Sequence, residues 1–95
     1  MSTNMSCVAH RYRMRKDREL EEAFQRLANV LEAIESHLTF DVVYALRESK
    51  DATNHSGADG IRATGESLLH AIDNCPVESR QIHEAARALR DKLFE

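Results

Sequence analysis

Leu20, Phe24, Leu27, Leu31, Ile34 and Leu38 recur at spacings of 4, 3, 4, 3 and 4 residues. This alternation of threes and fours puts all six on one side of an α-helix, an a/d stripe of nearly three heptads, and no strand can gather them on one face. Asp17 fits the N-cap position, and Glu19, Glu21 and Glu22 fall in the first turns, where the positive end of the helix dipole favours acids. Glu22 and Arg26 stand four apart, the spacing of a helical ion pair. The pattern predicts a long helix over residues 17–37.

The stretch that follows, LTFDVVYALRES, supports two patterns. Phe40, Val42, Tyr44 and Leu46 alternate as in a strand, while Leu38, Val42, Ala45 and Leu46 share a helical face. Helix is favoured, either continuing the first or restarting with Thr39 as N-cap, because a lone strand has no obvious partner. The alternative is an α+β fold in which this stretch pairs with CVAHRYRM, which also alternates, within the chain or across a dimer.

The segment DATNHSGADG, residues 51–60, concentrates residues that favour turns. It is not a calcium loop: counted from Asp51, positions three, five, six and twelve hold Thr53, His55, Ser56 and Arg62 instead of ligands and a glycine. No G-K-[ST] follows Gly57 or Gly60, which excludes a phosphate loop. It is expected to be an interhelix loop.

Beyond it, Ile61, Gly65, Leu68, Ile72 and Cys75 repeat the heptad spacing and predict a helix over residues 60–74, with Asp59 near its start. Pro76 suits a first helical position, so NCPVES reads as a short corner into a last helix with Ile82, Ala86, Leu89 and Leu93 on one face and Ala85 beside them. A corner this short makes the last two helices an antiparallel or steeply crossed pair. The expected fold is all-α, a small bundle of three or four helices with a long first helix and a C-terminal helical pair.

Composition agrees with a helical core. Of 95 residues, 42% are hydrophobic but only 5% aromatic, with no Trp, so Leu, Ile, Val and Ala must build the interior. Phe24, Phe40, Tyr44 and Phe94 are expected as its bulkier fillers. A chain of this length forms one domain and buries only about two thirds of its unfolded surface, a margin that self-association would improve.

The net charge of -3 conceals an asymmetry. Up to Arg18, five of the 13 basic residues stand against one of the 16 acidic ones, a balance of +4; the remaining eight basic and fifteen acidic residues give -7. Residues 1–16 are therefore expected to form a flexible basic arm ahead of a single helical domain over residues 17–95. No apolar run approaches the roughly 20 residues of a membrane span, and no apolar stretch follows the N-terminal charges to make a signal peptide. Cys7 and Cys75 form no C-x-x-C pair and are expected as free thiols in a cytoplasmic protein.

Few residues suggest chemistry. Cys75, His70 and His83 could approach one another across the predicted corner, but Cys75 also continues the apolar stripe, where a small buried thiol is common. Cys7 and His10 have C-x-x-H spacing, whereas His70 and Cys75 are spaced H-x4-C, so only half of a zinc site resembles a usual motif. Glu21 and Glu22, and Glu32 and Glu35, lie on solvent faces with no apolar pocket to raise a pKa. No enzyme activity, metal or cofactor is expected.

Two binding modes remain. The stripe Leu20, Phe24, Leu27, Leu31, Ile34 and Leu38 is either one face of the chain's own bundle or a seam for another chain, such as a homodimer partner. Read as a seam, it makes the protein a small regulator of the adaptor or anti-activator kind that sets an amphipathic helix against a partner such as a transcription factor. The alternative is a nucleic-acid-binding regulator in which Arg11, Arg13, Arg15 and Lys16 contact phosphates and Tyr12 stacks on a base, although the acidic body offers no second basic cluster.

Overall fold

A computed structural model describes residues 3–95 of the chain, with side chains from Met14 onward. Four α-helices form a small bundle: α1 (Thr3–Ala33), α2 (Phe40–Ser56), α3 (Ala58–Asp73) and α4 (Arg80–Leu93). No strand occurs among the described residues, so the strand-pair alternative is set aside.

The first helix starts earlier and ends sooner than its periodicity predicted. It includes the basic stretch before Asp17, so the helical backbone begins at Thr3. It stops at Ala33, where Ile34 leaves helical geometry with φ -124° and ψ 28°, and a 3-10 turn over Glu35–His37 follows. Leu38 and Thr39 are extended and redirect the chain into α2. Thr39 occupies the predicted N-cap, but its hydroxyl makes no cap hydrogen bond. Burial of Val42, Leu46 and Ser49, spaced by four and three, is the helical periodicity that the alternating apolar residues had masked.

The predicted loop over residues 51–60 is not a loop. α2 continues to Ser56 and α3 begins at Ala58, leaving Gly57 alone between them. Two side chains that could have opened a turn instead bond inside the helix, the Thr53 hydroxyl to the Ser49 carbonyl at 2.7 Å and His55 Nδ1 against the Asp51 carbonyl at 2.9 Å. The reversal needs only Gly57, whose φ of 59° and ψ of -134° lie where a side chain is strained. Its N–H closes α2 on the Thr53 carbonyl at 2.7 Å.

The last corner also differs. Pro76 lies in a non-helical connection, and α4 starts after Ser79, whose Oγ accepts from the Ile82 N–H at 3.4 Å. A serine hydroxyl able to cap outweighs the suitability of proline for a first turn.

Contacts along the chain give an up-down-up-down bundle. α2 folds back tightly on α3 through Gly57. Near one end of the bundle Asp17 of α1 meets Arg62 of α3 at 2.6 Å, and Glu19 meets Lys92 of α4 at 3.0 Å. Toward the other end Leu31, Val42, Ile72 and Ile82, one from each helix, surround a small apolar gap. Leu20, Phe24, Leu27, Leu31, Ile61, Leu68, Leu89 and Ala85 form the dry centre.

Of the aromatics expected there, only Phe24 fills that centre. Phe24 is buried, but Phe40, Tyr44 and Phe94 are exposed, contrary to their expected role as core fillers. Phe40 and Tyr44 stand two residues away from Val42 and Leu46, and about 200° of helical rotation turns them to the opposite side.

Candidate protein-interaction surface

The Leu stripe lies inside the chain's own bundle. Leu20, Phe24, Leu27 and Leu31 are at most 2% exposed, and Ile34 and Leu38 are half-buried against the same core. Another chain could reach the first four only by opening the bundle. Of the residues proposed to meet nucleic acid, Arg15 is exposed and Lys16 half-buried on α1, while the side chains of Arg11, Tyr12 and Arg13 lie outside the described residues.

The thiol and histidine candidates are not assembled into a catalytic group. Cys75 is half-buried; burial acts to raise its thiol pKa, but hydrogen bonds from the Val77 backbone and from the backbone and hydroxyl of Thr39 outweigh this and hold it below the ordinary value. No histidine is among those partners. His70 instead borders an open groove with Glu66, Asp73, Arg90 and Phe94, in which Arg90 bonds Asp73 at 2.9 Å. No cluster of three or more His, Cys, Asp or Glu that could hold a metal occurs among the described residues, and the side chains of Cys7 and His10 lie outside them. No described helix is long and apolar enough to cross a membrane.

The surface that the sequence reading missed is on α2. Phe40 is 80% and Tyr44 64% exposed, and their rings stack with centroids 6.3 Å apart and planes 27° from parallel. Single exposed apolar residues are ordinary, but two adjacent aromatic rings in water on a chain with five aromatics are not. α2 holds them one turn apart, and the extended Leu38 and Thr39 place Phe40 at the start of the helix's first turn and Tyr44 at the second, at an end of the bundle. Asp41 and Glu48 are exposed nearby and make no ion pair among the described residues, while Arg47 reaches back to Glu35 at 3.5 Å. The sequence does carry the signal: once residues 40–56 are taken as helix with Val42 and Leu46 inward, Phe40 and Tyr44 must point outward.

Comparison of the chain with known protein families, curated proteins and solved structures finds no match.

Proposed function

We propose that this is a small, non-enzymatic, cytoplasmic regulatory protein that binds another protein through the outer face of α2. The stacked, exposed Phe40–Tyr44 pair carries this reading. Aromatic rings are enriched at the centres of protein interfaces because they bury much area at little entropic cost, and a solvated ring gains most when a partner covers it. The Leu stripe supports the fold that presents them. The partner's complementary surface is an apolar cleft with a basic rim, since Asp41 and Glu48 flank the rings and residues 19–95 carry a net -7. A regulator of the adaptor or anti-activator kind, for example one that occludes a surface of a transcription factor, has these requirements and needs no catalytic group.

Capture from a lysate of the native source, with and without nuclease, tests this when the natural chain is compared with the F40S/Y44S variant. A protein retained after nuclease by the natural chain and lost by an equally helical variant is expected. Equal retention by both chains would refute the assignment to α2. Loss on nuclease treatment would transfer the function to Arg15, Lys16 and the rest of the basic segment.

A further inference from the structure

We propose that the N-terminal half of α1 is a projecting basic helix that binds double-stranded DNA in the major groove. α1 has 31 residues, against 17, 16 and 14 in the other three helices. It joins the bundle where Asp17 meets Arg62 and Glu19 meets Lys92, and Leu20 is the first of its described side chains to be buried. Residues 17–33 already match the longest of the other helices, so residues 3–16 are surplus, about 21 Å of helix at 1.5 Å per residue. The molecule is accordingly 55 Å long but only 25 by 19 Å across.

The surplus turns suit phosphate better than they suit packing. Continued toward the N-terminus in threes and fours, the core stripe meets Asp17, Arg13, His10 and Ser6, all polar, so the seam that holds α1 to the bundle does not extend onto them. Arg11, Arg13, Arg15, Lys16 and Arg18 stand there against Asp17 alone, and Asp17 is engaged by Arg62. Arg15 and Arg18 are exposed and make no ion pair among the described residues.

The distribution of that charge selects the polyanion. At about 100° per residue, positions 11, 15 and 18 fall within about 60° of one another, while positions 13 and 16 lie on the opposite side of the helix. A helix that lies on an anionic membrane needs an apolar face opposite its charges, and this arrangement leaves none between residues 11 and 18. Positive charge on both sides fits a groove: the B-form major groove is about 12 Å wide, admits one α-helix and is walled by phosphates on both strands. The major groove of duplex RNA is too narrow to take it. The projection also offsets the acidic body. Residues 19–95 carry a net -7, but the middle of a 21 Å projection stands farther from them than the screening length of about 8 Å at physiological salt. DNA engaged there meets the arginines at close range and the bundle through screened solvent. This surface is separate from the aromatic pair on α2.

Fluorescence anisotropy of the full chain with a labelled DNA duplex of about two helical turns, titrated with salt, tests this beside the R15Q/R18Q and F40S/Y44S variants. Because neither arginine has a described ion-pair partner, R15Q/R18Q should keep its helix content and melting temperature. Five cations on phosphates give log K a slope of about -4.5 against log salt, a weakening of roughly 500-fold between about 0.05 M and 0.2 M. R15Q/R18Q should bind more weakly, with a slope shallower by about 2. F40S/Y44S should bind DNA as the natural chain does, so that failure of the α2 reading and failure of this one are told apart. No binding of the natural chain to duplex DNA at low salt would overturn the proposal, as would equal binding by R15Q/R18Q. Binding of duplex RNA or of vesicles rich in anionic lipid as tightly as duplex DNA would also overturn it, because neither offers a groove that takes a helix.

Discussion

Gly60 tests the packing that brings α2 and α3 together. It lies in the first turn of α3, and a Cβ built there would sit 2.8 Å from the Thr53 backbone nitrogen and closer still to the Ala52 carbonyl. Ordinary heavy-atom contacts fall at about 3.5 Å or more, so Gly60→Ala forces the two helices about 1 Å apart beside a one-residue corner with no slack. Alanine would ordinarily favour a helix over glycine by about 0.5–1 kcal/mol. Overpacking against backbone, which cannot rotate away, costs about 1–3 kcal/mol or more, and the upper end applies here, leaving a net loss of about 2 kcal/mol. For a domain of this size each kcal/mol moves the melting temperature by about 4–8 °C, so circular dichroism should show Tm falling by about 8–16 °C. Gly65→Ala is the control. Its Cβ would meet Leu93 Cδ1 at 2.9 Å, the tip of a flexible, half-buried side chain at the end of α4, so Tm should hold or rise. Equal responses from the two variants, or no loss in Gly60→Ala, would refute the close approach of α2 and α3.

Other perturbations follow from single contacts. Ser79→Ala removes the hydroxyl that caps α4 and should cost about 0.5–1 kcal/mol in urea unfolding, the low end for a cap whose bond is long at 3.4 Å. Ser49→Ala should leave stability unchanged or raise it by about 1 kcal/mol, because the Ser49 hydroxyl is fully buried with no hydrogen-bond partner among the described residues and its removal relieves an unsatisfied group. The hydrogen bond to Glu19 raises the Lys92 pKa above its ordinary 10.5, so folding gains stability from this group below that value and loses it as pH rises through the higher folded value. Melting scans at alkaline pH should show that loss, and Lys92→Met should remove this part of the pH dependence.

The architecture was legible because the strongest pattern and the core coincide: Leu20, Phe24, Leu27 and Leu31 are spaced as a helix seam and are buried as one. The ends of elements were less legible, for identifiable reasons. Asp51, Asn54 and Ser56 have turn-forming side chains, yet Thr53 and His55 engage the helix backbone and one glycine suffices to reverse the chain. Pro76 signals a helix start, but Ser79 holds the hydroxyl that caps one. A chain with so few aromatics is expected to bury Phe40 and Tyr44 as core fillers. Their helical position relative to Val42 and Leu46 decides otherwise, and that position could be read only after residues 39–47 were settled as helix rather than strand. The candidate surface was hidden by the same ambiguity.

Amide hydrogen exchange of the chain, free and bound to a captured partner, tests most directly whether α2 is the binding surface. The first N–H groups of a helix have no intrahelical acceptor and exchange quickly when exposed, so the amides of the exposed residues Phe40 and Asp41 report any cover placed over Phe40 and Tyr44. The account predicts that partner binding slows exchange at residues 40–47 while the amides around Leu20–Leu31, already within the bundle, change little. Slowing confined to the basic half of α1, or faster exchange around Leu20–Leu31 as the bundle opens to offer its stripe, would contradict it.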